Sequence, residues 1–481
     1  MQINSKTVTT NLFWRFMERC GAQGVTFVVS IILARLLDPE VYGTVALVTV
    51  FITILQVFVD SGFGNALIQK KDADDTDFST VFYFNMAFSV VLYILIFFAA
   101  PLIASFYENE ALIPIIRVLA LNVLISGIKN IQQSYVSKKL IFKKFFIVTI
   151  SASIFSAVIG IAMAYYGFGV WALVAQTLSS SVVSTVILWF TVKWRPKLLF
   201  SLSRLKGLFS FGWKLLASSL LDTVYNNLRS LIIGKMYTAN DLAFYNKGKT
   251  FPNLIVTNIN ASIDSVLLPT MSAMQDSREA VKAMTRRAIK TSTYIMMPMM
   301  MGLAVCAESL VELLLTEKWL PCVPYLRIFC FTYAFYPIHT ANLNAIKAMG
   351  RSDLFLKLEI IKKAVGLVFL LSSMWFGVMA MAYTLLITSV ISQIINSWPN
   401  KKLLDYSYLE QLKDMLPQIA LTVVMGVCVF VLQFFNLAPI ITLIIQVVLG
   451  IIIYVLGSII FKLESFNYIL NLLKKFKSRR G

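Results

Sequence analysis

One short stretch decides the fold, the basic run Lys138-Lys139-Leu140-Ile141-Phe142-Lys143-Lys144 between the apolar segments 112–136 and 146–165. Each apolar segment has roughly the 20 residues that a helix needs to cross the hydrocarbon of a bilayer. Lysines packed between two such segments mark a cytoplasmic connector, because basic loops stay on the inside of the membrane. The sequence therefore predicts a membrane-spanning helical hairpin at this point.

The same alternation continues along the whole chain. Of its 481 residues, 58% are hydrophobic and only 14% are charged, which is too apolar for a soluble domain. Basic residues concentrate in every second connector, whereas the connectors between them hold only Lys318 and are short, as at Asp38-Pro39-Glu40. This pattern predicts an all-α integral membrane protein with about fourteen transmembrane helices and both termini in the cytoplasm. The predicted spans are 13–36, 42–66, 79–104, 112–136, 146–165, 169–191, 209–235, 241–268, 291–315, 325–349, 356–375, 380–398, 415–433 and 441–461.

Composition and connector length argue against several other classes of protein. The net charge of +19 lies in connectors beside apolar spans, where it holds orientation and contacts anionic headgroups, so we expect no nucleic-acid partner. With His339 as the one histidine and with no paired cysteines, no metal site and no cofactor is expected. Since no connector exceeds roughly twenty residues, none can hold a soluble catalytic domain. We therefore expect that the protein is not an enzyme.

A weak internal repeat divides the chain. The turn Leu37-Asp38-Pro39-Glu40-Val41-Tyr42-Gly43 opens a helix that ends near Asp60, and roughly 200 residues later the turn Tyr237-Thr238-Ala239-Asn240-Asp241-Leu242 opens a helix that ends near Asp264. Six helices per unit would return the chain to the same face of the membrane, which predicts two lobes in a parallel pseudo-twofold repeat around a central cavity. The predicted domains are an N-lobe at 1–207, a C-lobe at 208–400, two extra helices at 401–462 and a basic cytoplasmic tail at 463–481.

Charged and polar residues inside the predicted spans recur at helical spacing. A charge at the centre of a bilayer costs at least about 2.5–3.5 kcal/mol, so it normally faces a cavity or a partner. Three helices carry such stripes, namely Arg15, Glu18, Arg19 and Gln23 on the first, Lys214, Asp222, Asn226 and Arg229 on the seventh, and Lys247, Lys249, Asn253, Asn260 and Asp264 on the eighth. Arg117 and Lys129 in the fourth span and Arg327 in the tenth are further candidates.

The excess of cations on these stripes predicts an anionic substrate. Arginine presents a planar fork that suits phosphate and lysine presents a point charge, so a diphosphate headgroup fits the seven cations Arg15, Arg19, Arg117, Lys214, Arg229, Lys247 and Lys249. The seven polar neighbours, which could hydrogen-bond sugar hydroxyls, are Glu18, Gln23, Asp222, Asn226, Asn253, Asn260 and Asp264. The competing interpretation is snorkelling at helix ends or structural ion pairs.

Two further features leave alternatives open. Glu308 and Glu312 lie one turn apart in the ninth span and could couple transport to an ion, or could pair with a nearby cation. His339 is more typical of a hydrogen-bonded packing residue than of a proton carrier.

Several motifs resemble the Wzx-type polysaccharide flippases, in the branch of colanic-acid and teichuronic-acid exporters within the multidrug/oligosaccharidyl-lipid/polysaccharide exporter superfamily. They are Ile31-Ile32-Leu33-Ala34-Arg35-Leu36-Leu37-Asp38-Pro39-Glu40-Val41-Tyr42-Gly43, Asp60-Ser61-Gly62-Phe63-Gly64-Asn65-Ala66-Leu67-Ile68-Gln69, Phe78-Ser79-Thr80-Val81-Phe82-Tyr83-Phe84-Asn85 and Leu242-Ala243-Phe244-Tyr245-Asn246-Lys247. The last departs from the family, in which glycine is more usual at Ala243.

The resemblance implies export of an undecaprenyl-diphosphate-linked oligosaccharide across the cytoplasmic (inner) membrane by alternating access, for surface polysaccharide assembly. The partners implied are that polyprenyl-diphosphate-linked glycan, membrane lipids and polysaccharide polymerase or assembly proteins. Two alternatives stay open, a drug/cation antiporter of the same superfamily and a non-transporting scaffold of a polysaccharide-synthesis complex. The antiporter predicts a cavity dominated by carboxylates, and the scaffold gives no reason for charged stripes.

Overall fold

The computed structural model describes residues 5–478 with the exception of Ser61, Leu140 and Asn436. In this part of the chain every regular element is a helix and there is no strand. The chain divides into two compact units, Met1–Ala243 and Phe244–Gly481. The predicted all-α fold is therefore confirmed, whereas the predicted domain limits after residues 207, 400 and 462 stay predictions.

The first unit is built from nine helices and the start of a tenth in its described residues. They are α1 (Ser5–Leu36), α2 (Pro39–Asp60), α3 (Phe63–Gln69), α4 (Asp75–Phe106), α5 (Leu112–Leu119), α6 (Leu121–Lys138), α7 (Phe142–Tyr165), α8 (Val170–Thr191), α9 (Leu202–Met236) and α10 (Ala239–Ser272). Helix α4 starts at a capping box, in which the Asp74 carboxylate accepts from the Asp77 amide at 3.0 Å and the Asp74 amide donates to the Asp77 carboxylate at 3.2 Å. These bonds satisfy amides that a helix start leaves without partners.

The second unit holds the rest of α10 and the remaining helices. They are α11 (Arg278–Val305), α12 (Ala307–Leu315), α13 (Val323–Ala334), α14 (Tyr336–Ala348), α15 (Ser352–Ser373), α16 (Val378–Leu404), α17 (Tyr408–Val431), α18 (Pro439–Ile460) and α19 (Glu464–Ser478), with short 3-10 helices at Glu317–Cys322 and Leu432–Phe435. Ser407 and Glu410 form a second capping box at the start of α17.

Each of the fourteen predicted spans coincides with one helix or with two consecutive helices. Among the described residues, nine helices or helix pairs are long and apolar enough to cross a membrane, and α11 with α12, bent by 65°, would make a tenth. Helices α9, α13, α14 and α15 do not meet this test, and α1 enters it only as the shorter apolar stretch Gly21–Leu36. In α9, the charges Lys214, Asp222 and Arg229 interrupt the apolar sequence. The multi-span membrane fold is confirmed. Of the three helices with predicted polar stripes, α10 meets the test, whereas α1 and α9 do not.

The two units repeat one pattern of helix packing. In the first unit α4 packs on α5 and α6, α6 packs on α8, and α7 packs on α8. In the second unit α11 packs on α13 and α14, α14 packs on α16, and α15 packs on α16. The order of contacts matches the order of the helices in the chain, so the internal repeat seen weakly in sequence is a repeat of structure. Helices α17 and α18, the two predicted extra helices, pack on each other, and α17 also packs on α11.

Glycines allow the closest helix approaches. A Cβ on Gly43, near the start of α2, would collide with the backbone of Ala239 at the start of α10. A Cβ on Gly127 in α6 would collide with the Ser89 side chain of α4. Small residues of this kind let membrane helices pack closely where no hydrophobic effect drives them together.

Helix α19 occupies most of the predicted tail, and apolar side chains of its first turns face protein. Phe466 and Ile469 pack against the core cluster that contains Tyr294 of α11 and Tyr454 of α18. The guanidinium of Arg287 lies 5.3 Å from the ring centroid of Tyr468. The first two turns of α19 are thus tied to the second unit.

Candidate functional site

The candidate site consists of charges inside the helices, and Arg229 is the most deeply placed of them in the first unit. Its side chain is 8% exposed, seven residues before the end of α9 at Met236, or about 10 Å of helix at 1.5 Å per residue. Helix α9 is held there against α2, because Gly234 admits the side chain of Leu47. A guanidinium enclosed at this depth is the kind of intramembrane charge that normally serves a ligand or a partner.

The rest of the α9 stripe differs from Arg229 in exposure. Lys214, Asp222 and Asn226 are exposed on the structure, whereas Arg229 is buried. Residues that share a regular helical spacing in the sequence therefore lie in two different environments, one exposed and one buried. A charged side chain exposed at membrane depth has to reach either an aqueous cavity or the interface.

Lys247 is the corresponding buried cation of the second unit. It is 6% exposed, and its ammonium lies 5.2 Å from the ring centroid of Trp319, a distance typical of a cation–π contact. The next residue, Gly248, fixes its position, because a Cβ there would lie 2.7 Å from Cβ of Tyr325 and 2.8 Å from the Leu326 amide. Lys249 is half-buried, so the two lysines differ in environment.

The polar stripe of α10 divides in the same way. Asn253 is exposed, but the Asn260 side-chain oxygen accepts from the Thr340 hydroxyl at 2.6 Å. The Asp264 carboxylate accepts from the Asn344 amide at 2.8 Å. Asn260 and Asp264 thus tie α10 to α14, in the manner of polar residues that join membrane helices.

The structure brings together Asp60, Lys129 and Asn130, a group of residues that the sequence did not predict to be neighbours. Helix α2 ends at Asp60 and α3 begins at Phe63, within one apolar span. Asn130 of α6 donates to the Val59 carbonyl at 2.8 Å and to the Asp60 carboxylate at 2.9 Å. Lys129 lies close enough to Asp60 for the two charges to attract each other. Charged side chains that meet inside an apolar span normally line a cavity or pair structurally, so Asp60 and Lys129 form a further candidate site.

Sequence reasoning had Lys129 as an isolated candidate and Asp60 only as the end of a helix. One sequence signal could have marked Asp60 as a site residue. The polar tripeptide Asp60-Ser61-Gly62 interrupts an apolar run, and a Ser-Gly pair favours a bend in a helix. No sequence pattern shows that α6 supplies the partner.

The first helix is only partly described. The side chains of Arg15 and Arg19 lie outside the described residues, so their predicted roles stay predictions. The Glu18 carboxylate accepts from the Thr149 hydroxyl of α7 at 3.3 Å, and Gln23 is half-buried.

Two repeat-related arginines serve helix packing. The Arg117 Nε donates to the Phe97 carbonyl at 3.3 Å, with its guanidinium 4.1 Å from the Phe97 ring centroid. The Arg327 Nε donates in the same way to the Ala304 carbonyl at 3.2 Å, and Arg327 also lies 3.5 Å from the Glu308 carboxylate. Glu308 therefore has the cation that the alternative interpretation required, and Glu312 lies half-buried one turn further along α12.

His339 belongs to a polar network in the second unit. Its Nδ1 lies 3.1 Å from the Asn396 amide nitrogen of α16. Nearby on α14, Asn342 exchanges hydrogen bonds of 2.9 and 3.0 Å with Gln411 of α17 and accepts from Asn400 at 2.7 Å. This arrangement is what a hydrogen-bonded packing residue would show. No group of three metal-ligating side chains occurs within the described residues.

The chain matches a family of polysaccharide biosynthesis proteins and several of their relatives in sequence. Residues 32–324 match a family described as "Polysaccharide biosynthesis protein". The chain is 26% identical over 383 residues to the teichuronic acid biosynthesis protein TuaB of Bacillus subtilis, covering 78% of each chain. It is 25% identical over 350 residues to the succinoglycan biosynthesis transport protein ExoT of Rhizobium meliloti, covering 73% of this chain and 71% of that one.

A solved structure shares the fold. It is described as "Lipid II flippase MurJ, inward closed conformation", with a TM-score of 0.75 and 16% identity over 94% of this chain and 98% of that one. At this identity the likeness shows the architecture alone.

Proposed function

We propose, from the premise that this chain belongs to the polysaccharide biosynthesis protein family, that it is a flippase for an undecaprenyl-diphosphate-linked oligosaccharide. In this proposal the substrate crosses the cytoplasmic membrane by alternating access and then enters surface polysaccharide assembly. The family membership and the multi-span fold establish a membrane protein of polysaccharide biosynthesis. The cargo, its mode of movement and the roles of individual residues are the proposal.

One observation carries the proposal, the burial of Arg229 and Lys247 inside membrane helices. Both cations are less than a tenth exposed, and each lies about two turns from the helix end that faces away from the basic connectors. A cation enclosed at membrane depth is costly and normally faces a cavity or a partner, so these two positions are where we place the anionic headgroup. A diphosphate supplies several acceptor oxygens for a guanidinium and an ammonium.

The polar faces support the glycan part of the cargo. The exposed Asn226 and Asn253 lie one turn from Arg229 and Lys249, respectively, on the same two helices. Side-chain amides both donate and accept, as recognition of sugar hydroxyls requires. The carboxylates of Asp60, Glu308 and Asp264 each have a partner within their own unit, which disfavours the drug/cation antiporter as the alternative.

The orientation in this proposal places both termini and the basic connectors in the cytoplasm. The cluster of lysines at 138–144 and the basic tail support it through the rule that basic loops stay inside. Polyprenyl-linked glycan, membrane lipids and assembly proteins are the partners it requires.

The decisive test starts from a deletion strain and measures the leaflet in which lipid-linked glycan accumulates, using an impermeant glycan-modifying enzyme. Complete repeat units held on the cytoplasmic leaflet, with loss of surface polymer, are the expected result. We expect Arg229→Ala to restore export at least about tenfold less well than the wild-type gene, since a charged hydrogen bond contributes about 1.5–3 kcal/mol.

Lys235→Ala is the matched control. Lys235 lies on the same helix, and its ammonium pairs with the exposed Glu108 carboxylate at 2.8 Å, so its loss should leave export unchanged. Equal export by both variants at equal membrane abundance would remove Arg229 from the site. Normal surface polymer and no trapped glycan in the deletion strain of an organism without a second flippase would overturn the cargo.

A further inference from the structure

A cavity of about 510 Å³ lies in the second unit where α17 meets the end of α18 and the start of α19. Its rim and its wall differ in chemistry. Charged side chains form the rim, namely Lys290, Lys413, Asp414, Lys462 and Glu464, whereas Ala420, Leu421, Val424 and Phe461 supply an apolar wall. The charged end faces the basic segments 401–413 and 462–478, and the apolar wall continues toward the middle of the spans.

The two acids of the rim are already neutralised by protein. Asp414 accepts from Arg286 at 2.6 Å and from the Tyr406 hydroxyl at 2.8 Å, and Lys290 lies 3.5 Å away. Lys290 also pairs with Glu464 at 2.8 Å. Both carboxylates, Asp414 and Glu464, are therefore paired with cations of the protein.

Lys413 and Lys462 supply the charge that remains. Neither has an ion pair within the part of the chain that the structure describes, and both are exposed. Lys462 has a φ of 49° just after the end of α18, a left-handed position that helix ends usually give to glycine. This conformation turns the chain at the end of α18 and leaves the Lys462 side chain on the rim of the cavity.

We propose that this cavity binds an anionic glycerophospholipid of the cytoplasmic leaflet. The phosphodiester would lie between Lys413 and Lys462, and an acyl chain would descend along Leu421 and Val424. Basic pockets between membrane helices on the cytoplasmic side recognise such headgroups, because they combine cations with an apolar wall. The site does not depend on the transported cargo and is separate from Arg229 and Lys247.

Charge and shape both select this occupant. Three lysines and two carboxylates line the cavity, which gives the lining a net charge of +1, and Arg286 adds a further cation through its pair with Asp414. A soluble phosphate would satisfy the cations but would leave the apolar wall exposed to water. A zwitterionic lipid would bring its own cation against the lysines.

The test uses the full-length protein in nanodiscs of phosphatidylcholine, with phosphatidylglycerol added and bound lipid counted by native mass spectrometry. We expect phosphatidylglycerol to bind in preference to phosphatidylcholine. Its affinity should fall about tenfold or more in Lys413→Gln/Lys462→Gln, since each lysine near an anionic headgroup contributes attraction. Lys71→Gln/Lys206→Gln removes the same charge from exposed positions of the first unit and should bind normally.

A second variant tests the wall with the charges intact. Val424→Trp should fill the cavity and displace the lipid while the unfolding temperature in phosphatidylcholine stays near that of the wild type. Equal loss in both double variants, or equal binding of the two lipids, would overturn the proposal. Tighter binding of polyprenyl diphosphate, with displacement of phosphatidylglycerol, would assign the cavity to the cargo instead. Arg229→Ala should bind phosphatidylglycerol normally, which separates this test from that of the flippase.

Discussion

In each unit a cluster of ion pairs joins two helices near their ends, and the acidic and basic residues sit on opposite helices in the two units. In the first unit, which we call the α4–α9 clasp, the acids Asp74, Asp75 and Asp77 lie at the start of α4, and Arg204 lies at the start of α9. In the second unit, the α11–α17 clasp, Arg286 and Lys290 lie on α11, while Asp414 lies on α17. Helices α4 and α11 are repeat-related, yet one carries the acids and the other the bases.

Both clasps share a buried carboxylate, but it comes from a different helix in each. Each clasp buries one carboxylate: Asp77 is 0% exposed and lies 2.7 Å from Lys70 and 3.4 Å from Arg204, and Asp414 is 8% exposed beside Arg286. The helix that supplies the carboxylate has changed. A pair of opposite charges at this end of each helix pair is therefore the shared feature, and the sign on each helix is free.

The clasps differ in how firmly the following connector is held. In the first unit the Ser79 hydroxyl accepts from the Lys197 amide at 2.9 Å, and the Gln132 amide donates to the Trp194 carbonyl at 3.1 Å. In the second unit the Lys282 ammonium donates to the Asp405 carbonyl. The irregular segment before α9 thus has more fixed backbone than the shorter segment before α17.

The largest effect should come from Asp77→Ala. It removes a buried carboxylate that holds Lys70 and Arg204, and it also removes half of the capping box of α4, so we expect a loss of about 2–3 kcal/mol of unfolding free energy. Thermal unfolding in nanodiscs measures it. Asp72→Ala is the control, because Asp72 is an exposed carboxylate of the connector just before α4 and should contribute under about 1 kcal/mol. Equal losses in the two variants would mean that burial does not distinguish the carboxylates.

A charge exchange in the second unit tests whether the sign is free. We expect Arg286→Asp and Asp414→Arg each to lower stability by about 2 kcal/mol, and the double variant to recover about half of the summed loss through the restored pair. Recovery cannot be complete, because the Tyr406 hydroxyl donates to Asp414 and would face an arginine. A double-mutant cycle from unfolding curves gives the coupling. No recovery at all would show that Tyr406 fixes the sign.

Loss of a connector anchor should have a smaller effect. Ser79→Ala leaves the Lys197 amide without its buried acceptor and should lower stability by about 1 kcal/mol. Hydrogen exchange of residues 192–201 should accelerate as well. Ser203→Ala, at an exposed position of α9, is the control and should change neither quantity. Unchanged exchange in Ser79→Ala would show that the connector is held by other contacts.

The smallest effect is expected from pH. The Arg204 guanidinium and the Asp77 amide hold the pKa of Asp74 down, at about 2, below its ordinary value near 3.9. A depressed pKa stabilises the folded state above the unfolded value, and this contribution is lost as pH falls from about 4 through about 2. Lys290 likewise lowers the pKa of Glu464, so acid should weaken the Asp74–Arg204 pair of the first unit and the Glu464–Lys290 pair of the second. Arg204→Ala should flatten the acid limb of the unfolding temperature, and an unchanged limb would contradict the assignment.

The sequence alone determined the class of protein, its spans and its repeat. Apolar length, helical spacing and the side on which lysines collect are properties of consecutive residues, so the fourteen predicted spans coincide with helices or helix pairs. Intramembrane charge at Arg229 and Lys247 could also be recognised, because an ion in an apolar run is visible without a fold.

Only the tertiary structure decided which helix faces which. Asp60 and Lys129 are 69 positions apart, and their meeting requires α6 to pack beside the end of α2. The burial of Arg229 and the exposure of Lys214 on one helix, and the placement of Lys247 on Trp319, depend equally on neighbours. Helical spacing tells which residues share a face, but the partner of that face is set by packing between distant segments, and this is why the charges were predicted and their environments were not.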